Sequence, residues 1–338
     1  MAGQGPTRRR RASRLHPVRL AALTVFCLIL SGFAGAAAYF FPVVVAGVGQ
    51  TGQVVVVPPS RSSGAQATPT PSAARGAAFT VLLLGSDDDS KFQADHVLTQ
   101  SMILVRVEPA TKHVTMLSIP RDLWVPLSTG GRAKIDAAYS YGGASAAIAT
   151  VERNFHVHVD EYAWIGLKGL IKLIDQLGGV DVFVTNPVLD DFYPDDIGGG
   201  YLYGYKRVAV LPGAQHLDGS RALQYVRSRH NDINGDFGRS ARQQQVLIGI
   251  KAKASTLSAA DLPDIVDALK GEFKTSMGLD RVRSLLGVAS GFDLGNIKQI
   301  VLYVPTYTSY DHGSAYGGQS VIVPHWNQIL PVVKANFP

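Results

Sequence analysis

The sequence predicts an α/β domain held at a membrane by one N-terminal apolar helix. Three observations predict it. Short apolar runs of strand length alternate with longer helical stretches from Phe79 to Asn336, with no internal repeat. A stretch free of charge follows an arginine cluster at the N-terminus. Between the two lies a segment rich in Gly, Ser, Thr, Pro and Ala, the composition of a linker.

Charge divides the chain the same way. Residues 1–75 hold eight arginines and no lysine or acid, whereas the remaining 24 basic and 26 acidic residues leave 76–338 at −2. A nucleic-acid reader would carry a strongly positive domain, so the balanced domain argues against one. Residues 1–19 form a basic arm and 20–48 an apolar anchor. The span Leu20–Tyr39 is long enough to cross a bilayer and too long for the usual core of a cleaved signal peptide. Positive charge before it keeps the arm in the cytoplasm, so the linker (49–78) and the domain (79–338) are expected outside the cell. Cys27, the single cysteine, falls within the span, and no disulfide can form within one chain.

Taken in order, Phe79–Leu84 reads as a buried strand that ends at Gly85–Ser86 and runs into Asp87, Asp88 and Asp89. Carboxylates there suit a ligand or metal group at the end of a sheet strand, or a solvated turn with capping aspartates. Ser101–Val107 and His113–Ile119 read as a hairpin that delivers Arg121 and Asp122. That pair fits a structural ion pair or an active-site group. Lys134–Tyr141 reads as a short helix stopped by Gly142–Gly143, and Ala144–Phe155 as another. Tyr162–Leu167, Lys168–Leu177 and Val180–Val184 form a strand–helix–strand run of the length of a right-handed βαβ unit. Asp190–Tyr205 is a Gly- and Tyr-rich loop of the kind that often binds. Helices are expected over Leu217–Val226, Arg239–Thr256, 259–290 and Trp326–Asn336, and a strand over Ile297–Val304.

The densest chemistry lies in Leu211–Gln245. It holds Arg221, Arg227, Arg229, Arg239 and Arg242, together with Asp232, Asp236 and Gln243–Gln245. A solvated helix would space its charges by three and four with acids interleaved. Here two arginine pairs flank a Gly/Asn/Asp loop, as if two element ends met at one anion. The guanidinium fork suits phosphate oxygens.

Six blocks then stand in one order: LLLGSD (82–87), VTMLSIPRD (114–122), KIDAAYSYGG (134–143), LIDQLGGVDV (173–182), LPGAQHLDGSRALQYVRSRH (211–230) and DFGRSARQQQ (236–245). In this the chain resembles the LytR–CpsA–Psr proteins. The resemblance implies a single three-layer α/β/α domain with a mixed central sheet and a long apolar groove for a polyprenyl chain. It implies a phosphotransferase, dependent on Mg²⁺, that moves a glycan from a polyprenyl-pyrophosphate carrier to a hydroxyl of a cell-wall polymer such as peptidoglycan. Position by position, Arg121 corresponds to the catalytic arginine, and Asp87 to a metal carboxylate or acceptor base. Arg227, Arg229, Arg239 and Gln243 join Arg121 as the pyrophosphate cradle, supported by Asp122, Asp236 and Arg242. The metal would sit on Asp87 and Gln100, or on Asp95. Many members carry Arg-Ser-Asp-Thr where this chain has Leu98–Ser101, so Gln100 stands at an expected aspartate. An amide oxygen still ligates Mg²⁺ but without charge; Asp88, Asp89 or Asp95 could make up the difference. A pyrophosphatase with water as acceptor, and a non-catalytic sensor of lipid-linked precursors, are the competing expectations.

Overall fold

The computed structural model describes residues 77–87, 97–197, 203–229, 232, 235–257, 261–278 and 296–338. The chain divides into Met1–Gln53 and Val54–Pro338. The arm, the anchor span and nearly all of the linker lie outside the described residues. No helix among the described residues is long and apolar enough to cross a membrane.

The first three strands are β1 (Phe79–Ser86), β2 (Thr99–Glu108) and β3 (His113–Ile119), joined antiparallel. Their register sorts the side chains by face. Leu82, Leu104 and Leu117 line up across the three strands, as do Leu84, Met102 and Ile119, and all six are buried on one face. The alternate residues, such as Leu83 and Ile103, point to the other face because side chains alternate along a strand. A small hairpin follows, β4 (Trp124–Pro126) with β5 (Arg132–Lys134). Next comes α1 (Ala137–Phe155), two helical pieces joined across a kink. Gly143 sits at φ 62°, the left-handed region glycine tolerates, so the predicted stop at Gly142–Gly143 survives as a kink.

β6 (Glu161–Ile165) runs parallel to β1, with Ala163 beside Leu83 and Ile165 beside Gly85. Beyond it come α2 (Leu167–Gln176) and β7 (Val180–Val184). The expected βαβ unit does not form. Both edges of β6 are already paired, by β1 and by a later strand, so β7 takes its partner elsewhere. The stretch read as a binding loop contains β8 (Val188–Pro194), which pairs with β9 (Tyr205–Val210) as an antiparallel hairpin. β10 (Gly213–Leu217) is the antiparallel partner of β7. Then follow α3 (Gly219–Arg227), α4 (Gly235–Ala254) and the short α5 (Leu262–Ala268). The helix expected over 259–290 gives way at β11 (Phe273–Thr275), the outer partner of β6. β12 (Ile297–Val301) lies parallel to β3. β13 (Thr308–His312) and β14 (Ser320–Pro324), neither expected from sequence, form a hairpin before α6 (Trp326–Asn336).

The central sheet therefore runs β11-β6-β1-β2-β3-β12 with mixed directions. Its leucine-rich face packs on α1 and α6 through Ala147, Val151, Phe155, Ile329 and Val333. A second core joins α2, α3 and α4 to β7 through Ile174, Val180, Leu217, Leu223 and Val246. Gln244 of α4 ties that layer to the opposite sheet face, its Nε2 donating to Ser118 Oγ at 2.8 Å and to the Ile300 carbonyl at 3.1 Å.

The α2–α3 crossing depends on a glycine. Gly219 donates its N–H to Asp175 Oδ1 at 2.8 Å, and a Cβ there would lie 2.7 Å from the Ile171 Cα. Backbone on backbone leaves nothing soft to give way. Gly219→Ala is expected to lower stability by about 1–3 kcal/mol, as forced overpacking does, read from the urea midpoint of unfolding. An unchanged midpoint would show that the crossing is looser than described.

Candidate active site

The sheet register determines where the site lies. β1 ends at Ser86, β2 begins beside it, and β3 runs out toward Arg121, so three chain segments carrying polar residues reach the same sheet edge. Gly85 pairs with both Ser101 and Ile165, and a Cβ on it would stand 3.2 Å from Ser101 Cβ. The floor of the site is thus kept small at this edge. A cavity of about 650 Å³ opens there, within the range of roughly 300–1,000 Å³ common for ligand pockets. Leu83, Ile103 and Ala163 from the sheet, and Leu170, Leu223 and Ile250 from the helices, form its apolar walls. Asp87, Gln100, Arg121, Arg227, Arg229 and Arg239 line it as well.

Helix α4 spans both characters. Arg239, Gln243, Val246, Leu247 and Ile250 all line the cavity, at the spacing of one helical face. The face turns from cationic to apolar along its length, matching the sheet beneath it. Gln243 Oε1 accepts the Ser101 hydroxyl at 2.9 Å, which fixes the polar half of the helix to β2.

Arg242 points the other way. It is 8% exposed and donates from Nε to the Tyr225 carbonyl at 2.7 Å, to the Ser228 carbonyl and to Asp232. Tyr225 in turn donates its hydroxyl to Gln245 Oε1 at 2.6 Å. These contacts hold the end of α3 against the start of α4, so that Arg227 and Arg229 on one side and Arg239 on the other border a single cavity. Arg242 supports the site by holding the loop, without lining the cavity. Asp236, expected beside it, lies in the first turn of α4 with its side chain outside the described residues.

The predicted cradle comes together, but its arginines are not equivalent. Arg227 is gripped in a bidentate pair by Asp196, NH1 to Oδ1 at 2.6 Å and NH2 to Oδ2 at 2.9 Å, and lies 5.7 Å from the Tyr193 ring centroid. Burial works against the charge of Arg227, and the Asp196 hydrogen bonds and Tyr193 more than offset it, so its pKa stands above the ordinary arginine value. Arg239 is 7% exposed, whereas Arg229 is exposed at the cavity and its backbone N–H donates to Asp190 Oδ2 at 3.3 Å. The β8–β9 hairpin that supplies Asp190 and Asp196 also sends Phe192 and Tyr205 to the cavity, in edge contact with centroids 6.2 Å apart. Sequence reasoning missed Ser101, Asp190 and Asp196. Only the acid-rich, aromatic composition of 190–205 hinted at the last two.

At the sheet edge the charges form a chain. Asp87 is 6% exposed; its Oδ1 accepts the Leu98 N–H at 3.0 Å and its Oδ2 accepts Gln100 Nε2 at 2.7 Å. Burial raises the Asp87 pKa, opposed by these hydrogen bonds and by Arg121. The other end of the same amide, Gln100 Oε1, accepts from Arg121. Arg121 Nε lies 3.3 Å from Asp122 Oδ2, a contact of charges without hydrogen-bond alignment. Asp122 Oδ1 takes Lys134 Nζ at 2.7 Å. Below them Asp136, 5% exposed, has its pKa pushed up to about 7 by burial, with repulsion from Asp122 adding and Arg121 and Lys134 opposing.

A magnesium ion on Asp87 and Gln100 would need oxygens from both. Gln100 turns its NH₂ to the carboxylate, and the amide oxygen is taken by Arg121. The pair as folded does not fit a cation between them. No cluster of three or more His, Cys, Asp or Glu is found among the described residues. Asp88, Asp89 and Asp95 lie outside them.

A profile of the LytR_cpsA_psr family matches residues 59–326. The chain is 33% identical to the polyisoprenyl-teichoic acid–peptidoglycan teichoic acid transferase TagU of Enterococcus faecalis, over 65% of this chain and 68% of that one. It is also 33% identical to the corresponding transferase TagV of Bacillus subtilis, over 63% of this chain and 54% of TagV, so it spans about half of that relative. The crystal structure of B. subtilis TagV superposes with a TM-score of 0.63 and 28% identity, covering 77% of this chain and 96% of that one.

Asp136 sets a pH dependence. Its folded pKa of about 7 lies above the ordinary 3.8. Between those values the folded state keeps a proton that the unfolded state has released. Its contribution to stability is therefore whole below about pH 4 and is lost as pH rises through 7. Asp136→Asn is expected to flatten that decline in melting temperature across this window. Parallel curves for variant and parent would remove Asp136 as the cause.

Proposed function

The chain belongs to the LytR_cpsA_psr family, and from that premise we propose that it is a membrane-anchored phosphotransferase. It moves a glycan phosphate from a polyprenyl-diphosphate carrier to a hydroxyl of a cell-wall polymer. The observation that carries the reading is one cavity whose lining passes from arginines to aliphatic side chains along a single face of α4. A diphosphate with a long isoprenoid on one side and a sugar on the other has that polarity. The apolar walls suit the lipid, and the arginine end suits the phosphates. The expected anchor at 20–48 would keep such a site within reach of a lipid carrier in the bilayer.

In the reaction the acceptor oxygen bonds to the phosphorus that carries the sugar. The bond from that phosphorus to the bridging oxygen breaks, and polyprenyl phosphate leaves with the electron pair. Little covalent work falls to the protein; positioning and charge stabilisation do most of it. Arg229 and Arg239 face the cavity as charge acceptors, while Arg227, already neutralised by Asp196, holds the β8–β9 hairpin beside them. Arg121 is oriented by Gln100 and Asp122 toward the edge where β1 and β2 end. Asp87 takes the proton of the acceptor hydroxyl. Its carboxylate accepts the Leu98 N–H and Gln100 Nε2, and the pKa raised by burial suits a base.

The test uses the full-length chain in detergent micelles with a polyprenyl-diphosphoryl disaccharide and a peptidoglycan oligomer, read by mass spectrometry. A phosphodiester-linked adduct is expected, and Arg121→Ala should reduce its rate by about 10²–10³-fold with the melting temperature retained. Cleavage of the lipid at the same rate without oligomer would make water the acceptor. Transfer by Arg121→Ala at the parent rate would remove Arg121 from the chemistry.

A further inference from the structure

The Asp87–Gln100 pair occupies the place where a bridging cation would be expected to hold this site together, and it does so with an amide. We propose that Gln100 substitutes for that cation: its side chain joins Asp87 to Arg121, and phosphoryl transfer runs without a divalent ion held by the pair. The inference rests on the transferase reading of the same site and adds a statement about what this chain does not need.

Four features support it. The amide donates to Asp87 Oδ2 at 2.7 Å and accepts from Arg121, so both of its ends are used. The orientation is forced by charge. Turned over, the amide would place oxygen against a carboxylate and NH₂ against a guanidinium, two repulsive contacts in exchange for two attractive ones. Position 100 is also held from the backbone. Thr99 donates from its N–H and its hydroxyl to the Asp136 carbonyl, at 3.3 and 3.2 Å, and the Leu98 N–H donates to Asp87. The amide therefore has no freedom to turn its oxygen to a metal without breaking a contact at each end. Finally, the neutral amide lets one carboxylate and one guanidinium balance each other. Two carboxylates at positions 87 and 100 would repel until a cation joined them.

The chemistry balances without the ion. The acceptor oxygen–phosphorus bond forms, the phosphorus–bridging oxygen bond breaks, the hydroxyl proton goes to Asp87, and polyprenyl phosphate leaves as the anion. Gln100 neither gains nor loses a proton. It is a positioning residue, acting through Asp87 and Arg121.

The distinguishing experiment is metal binding by the full-length chain in detergent, with MgCl₂ alone as the probe. In calorimetric titration the parent is expected to give no binding heat at millimolar Mg²⁺, and its melting temperature to be the same in Mg²⁺ as in EDTA. Gln100→Asp should bind Mg²⁺ and melt higher in Mg²⁺ than in EDTA. In the transfer assay EDTA should leave the parent rate within about twofold, and slow Gln100→Asp by about tenfold or more. This reversal of metal dependence is something a merely structural role would not produce. Mg²⁺ binding by the parent with a rise in melting temperature equal to the variant's overturns the proposal and assigns the ligand set to neighbouring carboxylates. Failure of Gln100→Asp to gain Mg²⁺ binding overturns it too, since the amide would then not stand at a cation position. Binding and melting are read without substrate, so they decide the inference even if no transfer occurs in any arm.

Discussion

Buried charge has to be met by opposite charge or by hydrogen bonds, and the row Asp87, Gln100, Arg121, Asp122 and Lys134 meets that demand at the edge of the sheet. An ionised carboxylate taken from water without partners costs far more than a small domain can spare. The row draws on four separate points of the chain, so it closes only when β1, β2, β3 and β5 are in register. The same alternation of sign leaves Arg121 held in place and oriented. Asp136 is a buried carboxyl that Arg121 and Lys134 do not fully compensate, and burial raises its pKa as it raises that of Asp87.

The second constraint is the way α4 is clamped. Gln243, Gln244 and Gln245 are consecutive, so they point in three directions around the helix. Gln243 reaches Ser101 at the cavity, Gln244 reaches Ser118 and the Ile300 carbonyl on the sheet, and Gln245 reaches Tyr225 in α3. Three amides thus tie one helical turn to three neighbours. Arg242, one turn before Gln245, strengthens the same α3 side through Tyr225, Ser228 and Asp232. The rigid placement of Arg239 and of the apolar face beyond it derives from these bonds. A long side chain such as arginine is useful to a diphosphate only if its base does not wander.

Much of the fold was legible because its strongest elements carry their own period. β1, the β2–β3 hairpin, α2, α3, α4 and α6 stand within a few residues of their expected positions. The departures have separate causes. The βαβ reading of 162–184 assumed that a strand after a helix joins the same sheet, but both edges of β6 were taken. The loop reading of 190–205 missed a hairpin because exposed Asp191, Phe192 and Arg207 hide the alternation of Val188, Asp190, Val208 and Val210. β11 was absorbed into a helix because three residues are too few to show a period. Of the site, the arginines and Asp87 were legible from their density and from their place at strand ends. Asp190 and Asp196 were not, because an acid in a polar stretch looks the same whether it faces water or a guanidinium.

The sequence by itself determined which chemical groups the site can draw on. Guanidinium groups in two clusters, a carboxylate after a buried strand and a glutamine at position 100 are covalent facts, and guanidinium forks suit anions with phosphate-like oxygens. What only the tertiary structure decided is how those groups share the work. Arg227 is spent on Asp196, Arg242 on the α3–α4 junction, and Gln100 on joining Asp87 to Arg121. The physical reason is that hydrogen bonding and charge pairing act over about 3 Å. Which donor meets which acceptor at that range depends on sheet register and helix rotation, and residues up to 142 positions apart in the chain, such as Ser101 and Gln243, are brought together only by folding.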